Sequence, residues 1–296
     1  KRKNLKTLLL AFSSLPHSER KRIQLVVVCD MESSVINSFE DKFAFNSEIQ
    51  NEVIFTGPVK EDDLDLLYSN CKLFVFPSTM EGFGLPVLEA MSFGCPCVVS
   101  NSTSLPELVG DAAVKFDANN VPELKRKISE LIFDTSKLNT LSKLSVEKSK
   151  QYDWSDVAEK AARAIRSLKS KKKRYFFTSQ GQREGLKAKK KLAYISPFPP
   201  EKTGISKYSS DLIPYLSKFY DIHCVAISNY PTSLANIHNR YFNVISKTQF
   251  KEKFLEYERV LYHFGNSEFH LPYFELLENY PGVVVLHEVF LDGLCA

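Results

Sequence analysis

Phe74-Val75-Phe76-Pro77-Ser78-Thr79-Met80-Glu81-Gly82-Phe83-Gly84-Leu85-Pro86-Val87-Leu88-Glu89-Ala90-Met91-Ser92-Phe93-Gly94 decides the reading of this 296-residue chain. An apolar run, Leu73 to Phe76, stops at Pro77 and Ser78 and reads as a buried strand ending in a turn. Gly82-Phe83-Gly84 forms a loop, and Pro86 stands at the first position of a helix. Leu85, Leu88 and Met91 recur at helical spacing, and Gly94 supplies the stop. The first N–H groups of a helix lack intrahelical partners and sit at the positive end of its dipole, so this loop suits a phosphate or a sugar hydroxyl. Glu81 and Glu89 flank it. An ionised carboxylate only accepts hydrogen bonds, which suits a hydroxyl-rich ligand such as a hexose or a ribose. Glutamate in a first helical turn also simply complements the dipole.

The whole string carries more than its parts. Glu-Gly-Phe-Gly-Leu-Pro-x-x-Glu-Ala-Met-x-x-Gly-x-Pro resembles the two-glutamate signature of family 4 glycosyltransferases, retaining enzymes built from two Rossmann domains in the GT-B arrangement. The likeness continues through Cys95-Pro96-Cys97-Val98-Val99-Ser100 and Ser104-Leu105-Pro106-Glu107-Leu108-Val109-Gly110-Asp111. It implies an α/β fold of doubly wound parallel sheets. It also implies a nucleotide-sugar donor held by Gly82, Phe83, Gly84, Leu85 and Pro86, with Glu81 on the donor sugar and Glu89 on the ribose. Upstream, Lys1-Arg2-Lys3-Asn4 precedes a helix with Leu5, Leu8, Leu9 and Phe12 on one face. By the same resemblance Lys3, and with it Arg2, holds the donor diphosphate; a solvated basic end is the plainer reading of the residues alone.

The neighbouring segments fit a doubly wound sheet. Gln24–Cys29 and Glu52–Thr56 are β-branched runs separated by a polar connection, and Glu61-Asp62-Asp63 opens a helix with acid at its amino end. Ligands in such sheets bind beyond the carboxyl ends of the strands, where the Glu81 loop falls. Glu107 reads as part of a helix start. Val121–Phe133, Thr135–Lys150 and Asp156–Leu168 read as helices. The last resembles the closing helix that crosses to the partner domain in the GT-B arrangement.

From Lys169 the composition turns basic and glycine-bearing, with Lys171-Lys172-Lys173-Arg174 and Lys189-Lys190-Lys191, as in a linker. A solvated tether is one reading and peripheral contact with an anionic membrane surface another; no recognised nucleic-acid module accompanies the run. Leu192–Pro200 is a new strand entering a proline-rich loop, and Gly204-Ile205-Ser206-Lys207-Tyr208 opens a helix. This resembles the start of an amino-terminal GT-B domain, with Gly204 at the cleft. Two further strand ends carry His263 and His287; the resemblance points His287 at the donor sugar, while His270 is incidental. A donor-type domain (1–168), a linker (169–191) and a partial acceptor-type domain (192–296) thus follow in the reverse of the usual order. The expectation is a junction between two tandem modules, with circular permutation as the alternative.

The chain is 44% apolar and 25% charged with a net charge of +4, an ordinary globular composition. No apolar run reaches the roughly 18 residues of a membrane span. Six cysteines show neither zinc spacing nor a disulfide framework and fit a reducing cytoplasm. The resemblance implies metal-independent, retaining transfer of a hexose, and the resemblance of the Arg2-Lys3-Asn4 opening points to GDP-mannose as the donor. The expected acceptor is a glycan or lipid-linked sugar in polysaccharide assembly, and the expected location is the cytoplasm, with a peripheral position at the inner membrane surface as the further option. A non-catalytic nucleotide-sugar-binding or scaffold segment is the rival; a sugar-nucleotide epimerase is disfavoured by the two-glutamate string.

Overall fold

A computed structural model describes residues 2–29, 47–168, 189–199, 201, 203–227, 241–266 and 270–287. The chain divides into two units, 1–151 and 152–296. Nearly all of the basic linker, residues 169–188, lies outside the described residues, so its expected membrane contact does too.

The first unit runs α1 (Leu5–Ser13), α2 (His17–Arg20), β1 (Leu25–Val27), α3 (Ser47–Glu52), β2 (Val53–Phe55), α4 (Glu61–Asn70) and β3 (Phe74–Phe76). It continues through α5 (Leu85–Ser92), β4 (Cys97–Ser100), α6 (Leu105–Val109), β5 (Val114–Phe116), α7 (Val121–Ile132) and α8 (Thr135–Ser149). Among the described residues the strand pairings are parallel: β1 with β2, and β3-β4-β5 in order. Strand–helix alternation forces this, because a parallel pair needs a crossover. One core joins the two sheets: Leu8, Leu9 and Phe12 of α1 pack with Val27, Val53, Val98 and Phe116 and with Leu124, Ile128 and Leu131 of α7. The amino ends of α7 and α8 are capped by Asn120 and Asp134, each accepting a backbone N–H three residues on.

The second unit consists of α9 (Trp154–Ser167), β6 (Lys190–Ile195), α10 (Gly204–Leu216), β7 (Tyr220–Ala226), β8 (Phe242–Ser246), α11 (Lys247–Glu252), β9 (Arg259–Phe264), α12 (Leu271–Asn279) and β10 (Val283–Leu286). Its strands among the described residues are parallel in the order β10-β9-β6-β7-β8. The chain therefore reverses direction across the sheet between β6 and β9, the switch point of a doubly wound fold.

Two expectations need correcting. The boundary expected at 168 lies earlier, because α9 belongs to the second unit. Its apolar stripe, Ala158, Ala162 and Ile165, is buried with Leu192, Tyr194, Leu212 and Leu216, and Trp154 meets Tyr208 edge-on at 5.3 Å. The cysteines are not all reduced either: Cys71 at the end of α4 and Cys95 before β4 form a disulfide, with Cα atoms 6.4 Å apart. The fold brings the two ends together across 24 residues, a proximity that spacing does not disclose. Cys97 and Cys224 are buried free thiols; burial pushes Cys97 up to about 12, so it behaves as a small apolar side chain.

Candidate functional site

The loops after β3, β4 and β5 meet α1 at the carboxyl edge of the three-stranded sheet. Asn4 ties them together. It takes the left-handed conformation (φ 51°), and its Nδ2 donates to Pro77 O at 3.1 Å and Ala118 O at 2.8 Å. Its Oδ1 accepts from Thr7 Oγ1. Beside it, Arg2 O accepts from Thr79 N–H at 2.9 Å and lies 3.1 Å from Ser78 Oγ. The exposed Arg2 and Lys3 are thereby fixed by their backbone next to the β3 loop.

Lys3 Nζ lies 2.7 Å from Glu81 Oε1, a pair formed across 78 residues of sequence. The same oxygen is 2.6 Å from Ser78 Oγ, whose one proton it is best placed to take. Glu81 is further fixed through its backbone: its N–H donates to Thr103 Oγ1 at 2.9 Å and its carbonyl accepts from Ser104 Oγ at 3.0 Å. Ser100 Oγ bonds Ser78 O and anchors the strand end. The Glu81 side chain is 9% exposed and that of Lys3 55%, so the carboxylate is a held acceptor and the ammonium a movable cation.

Gly84 caps α5 at φ +103°, which L side chains avoid, and a Cβ there would stand 2.7 Å from Leu105 Cδ2. Pro86 is at the second helical position rather than the first and brings no N–H; Val87 and Leu88 N–H both point to Gly84 O. Leu85 is the helical position left outside this ladder, next to the exposed Gly82 and Phe83. Glu89, one turn on, is half-buried, and its Oε2 accepts from Tyr68 Oη at 3.3 Å.

The structure therefore gathers Arg2, Lys3, Glu81, Gly82, Phe83, Gly84, Leu85 and Pro86 at one sheet edge, with Glu89 on the helix that opens there. Asn4, Ser78, Thr103 and Ser104 complete the framework, and sequence reasoning missed them because their roles are tertiary. Pro77-Ser78 at the strand end was the one local signal.

Gly204 and His287 lie in the second unit. Gly204 is exposed at the amino end of α10, with its Cβ direction open. His287 follows β10, and its Nε2 is 2.8 Å from Nδ1 of the buried His263, which stacks on Tyr194 at 4.6 Å. Tyr208 meets the His287 ring edge-on at 4.7 Å. The pair shares one proton between two neutral rings. Burial, then the neighbouring His270, pushes His287 down to about 4, and burial holds His263 well below the usual range. Both native pKa values are depressed, so below about 6.5 the unfolded chain binds more protons. The stability that the pair contributes is present above that pH and is lost as pH falls towards 4 and lower. Calorimetric scans should show the unfolding midpoint of this unit falling over that range, and less steeply in His287→Asn. An equal slope in the variant would remove His287 from the account.

Residues 1–147 match the family described as glycosyl transferases group 1. This first unit is a group 1 glycosyltransferase domain of the family 4-like type. The chain is 34% identical over 188 residues to the serotype-specific mannosyltransferase WbdA of Escherichia coli, covering 63% of this chain and 23% of that protein. It is 35% identical over 171 residues to O-antigen chain mannosyltransferase B of Escherichia coli, covering 56% and 43% respectively. The chain thus spans less than half the length of these relatives. Among solved structures, Anabaena Alr3699/HepE in complex with UDP and glucose superposes with a TM-score of 0.50 at 24% identity, over 56% of this chain and 45% of that one. That likeness establishes the GT-B type of α/β fold for the glycosyltransferase domain. No helix among the described residues is long and apolar enough to cross a membrane.

Proposed function

We propose that the chain is part of a retaining glycosyltransferase that moves mannose from GDP-mannose to a hydroxyl of a glycan or lipid-linked acceptor in polysaccharide assembly. The observation that carries this reading is the Lys3–Glu81 pair beside the Gly82–Gly84 loop: a cation for a diphosphate and a held acceptor for sugar hydroxyls, side by side. The mannosyltransferase relatives favour the sugar. When a donor enters, Lys3 exchanges Glu81 for the phosphates, with Arg2 and the Leu85 N–H adding positive potential. Glu81, kept in place by Ser78, then accepts from the sugar hydroxyls, and Glu89 accepts from the ribose. As the bond from the sugar carbon to the leaving phosphate breaks, negative charge grows on the diphosphate, where a fixed cation is most effective. The acceptor oxygen bonds the same face of that carbon, and its proton passes to the leaving phosphate; no metal is required. The second unit would open the acceptor-type domain of a following tandem module.

The test is calorimetric titration of the chain with GDP-mannose, GDP and UDP. GDP-mannose should bind saturably, and Glu89→Gln should weaken it by about 10- to 100-fold, the worth of hydrogen bonds to a charged group. Equal affinity in a folded Glu89→Gln variant would refute the ribose assignment. Binding without transfer to any glycan acceptor would favour the non-catalytic reading.

A further inference from the structure

Tyr68 is 6% exposed on the last turn of α4, and it is held on two sides: its ring stands edge-on to Phe74 of β3 (5.6 Å, 76°) and lies against Phe93 after α5 (6.0 Å, 24°). Three residues on, the Cys71–Cys95 bridge ties the end of α4 to the turn that follows α5. The ring's position is therefore set by packing, and with it the place of the hydroxyl, which donates to Glu89 Oε2 at 3.3 Å. A phenylalanine would fill the same space. What the tyrosine adds is one donor, and it is spent on a carboxylate that the site needs.

We propose that Tyr68 is a positioning residue for Glu89, holding one carboxylate oxygen so that the other meets the ribose hydroxyls of the donor without rearrangement. A glutamate side chain has several rotatable bonds, and fixing it beforehand spares ordering on binding. Tyr68 stays a donor throughout: burial first, then the Glu89 charge and the hydrogen bond to it, raise its pKa above the ordinary phenol range, so the hydroxyl keeps its proton. An ionised carboxylate has about four lone-pair sites, so a bond from Tyr68 does not by itself use up the group. This inference rests on the reading of Glu89 as the ribose ligand, and its test separates the two.

The chain, Tyr68→Phe, Glu89→Gln and the double variant would be titrated with GDP and 2′-deoxy-GDP, and with UDP and 2′-deoxy-UDP. The native chain should prefer the ribonucleotide by about tenfold, Glu89→Gln should abolish that preference, and Tyr68→Phe should cut it to about threefold or less. The double variant should match Glu89→Gln, since Tyr68 acts only through that carboxylate. A merely structural Tyr68 would leave the ribose-to-deoxyribose ratio unchanged, whatever happened to the melting temperature. An undiminished ratio in Tyr68→Phe therefore overturns the positioning role and leaves the ribose assignment standing. A native chain that binds both sugars equally, or binds neither nucleotide, overturns the ribose assignment and the positioning role with it.

Discussion

Lys3→Ala is expected to weaken binding of GDP and GDP-mannose by about 10- to 100-fold while leaving the fold intact. Hydrogen bonds between charged partners are worth roughly 1.5–3 kcal/mol, which is that range of affinity. The fold should tolerate the change, because the Lys3 side chain is more than half exposed and a solvent-facing ion pair adds under about 1 kcal/mol. Beyond losing an attraction, the variant gains a repulsion. With the ammonium gone, the Glu81 carboxylate faces the incoming diphosphate with the Ser78 hydroxyl still donating to it. Glu81→Gln supplies the opposite result. It frees Lys3 from a partner at 2.7 Å, so GDP should bind no worse and by this logic several-fold better, while the extra affinity contributed by the mannose of GDP-mannose shrinks. Calorimetry with the nucleotide and the sugar nucleotide side by side measures both effects. If Lys3→Ala and Glu81→Gln instead weaken GDP alike, the pair acts as a unit and not as a cation exchanged between carboxylate and phosphate.

The reason this pair was only half legible in the sequence is physical. Glu81 and the glycine loop announce themselves locally, because a helix start needs a residue such as Gly84 that accepts φ +103° and a proline that stops the preceding strand. Lys3 was singled out only by resemblance, since nothing in the amino-terminal stretch by itself says that it closes on a loop 78 residues away. Asn4 makes the junction, and an asparagine in the left-handed conformation leaves no mark that spacing rules can read. Tyr68 was visible as one residue of a buried helical stripe, but the partner of its hydroxyl belongs to another helix. Short strands behave similarly. Val114–Phe116 is three residues long, too brief for alternation, and forms because it docks beside Val98–Ser100 in the sheet. Phe242–Ser246 was also passed over, although Ser246 and Gln249 carry a capping-box spacing that marks the helix after it.

The placement of α9 was legible only through the resemblance to a helix that crosses to a partner domain, and Ala162→Asp tests it. The periodicity of Ala158, Ala162 and Ile165 declares a helix with one apolar face, but periodicity does not say which core that face joins. In the structure the partners are Leu192, Tyr194, Leu212 and Leu216. The helix ends belong to the same unit. Arg259 donates to Ile165 O at 3.2 Å and Leu168 O at 2.8 Å, meeting carbonyls that a helix terminus leaves unpaired. Arg166 lies over Phe219 and Tyr220 at 5.6 and 5.4 Å. Ala162 is 1% exposed, so an aspartate there buries a carboxylate among apolar side chains, a change worth roughly 4 kcal/mol or more. Amide exchange should accelerate in β6 and β7 while the protection of β3 and β4 stays as in the native chain. Glu159→Ala is the matched control on the exposed face, where Glu159 pairs with Arg163 at 2.8 Å, and it should shift neither unit by more than about 0.5 kcal/mol. Loss of protection in β3 and β4 on Ala162→Asp would instead return the helix to the first core. The observed packing argues the other way: the helix that follows the glycosyltransferase domain in sequence is, in its contacts, a structural part of the second unit.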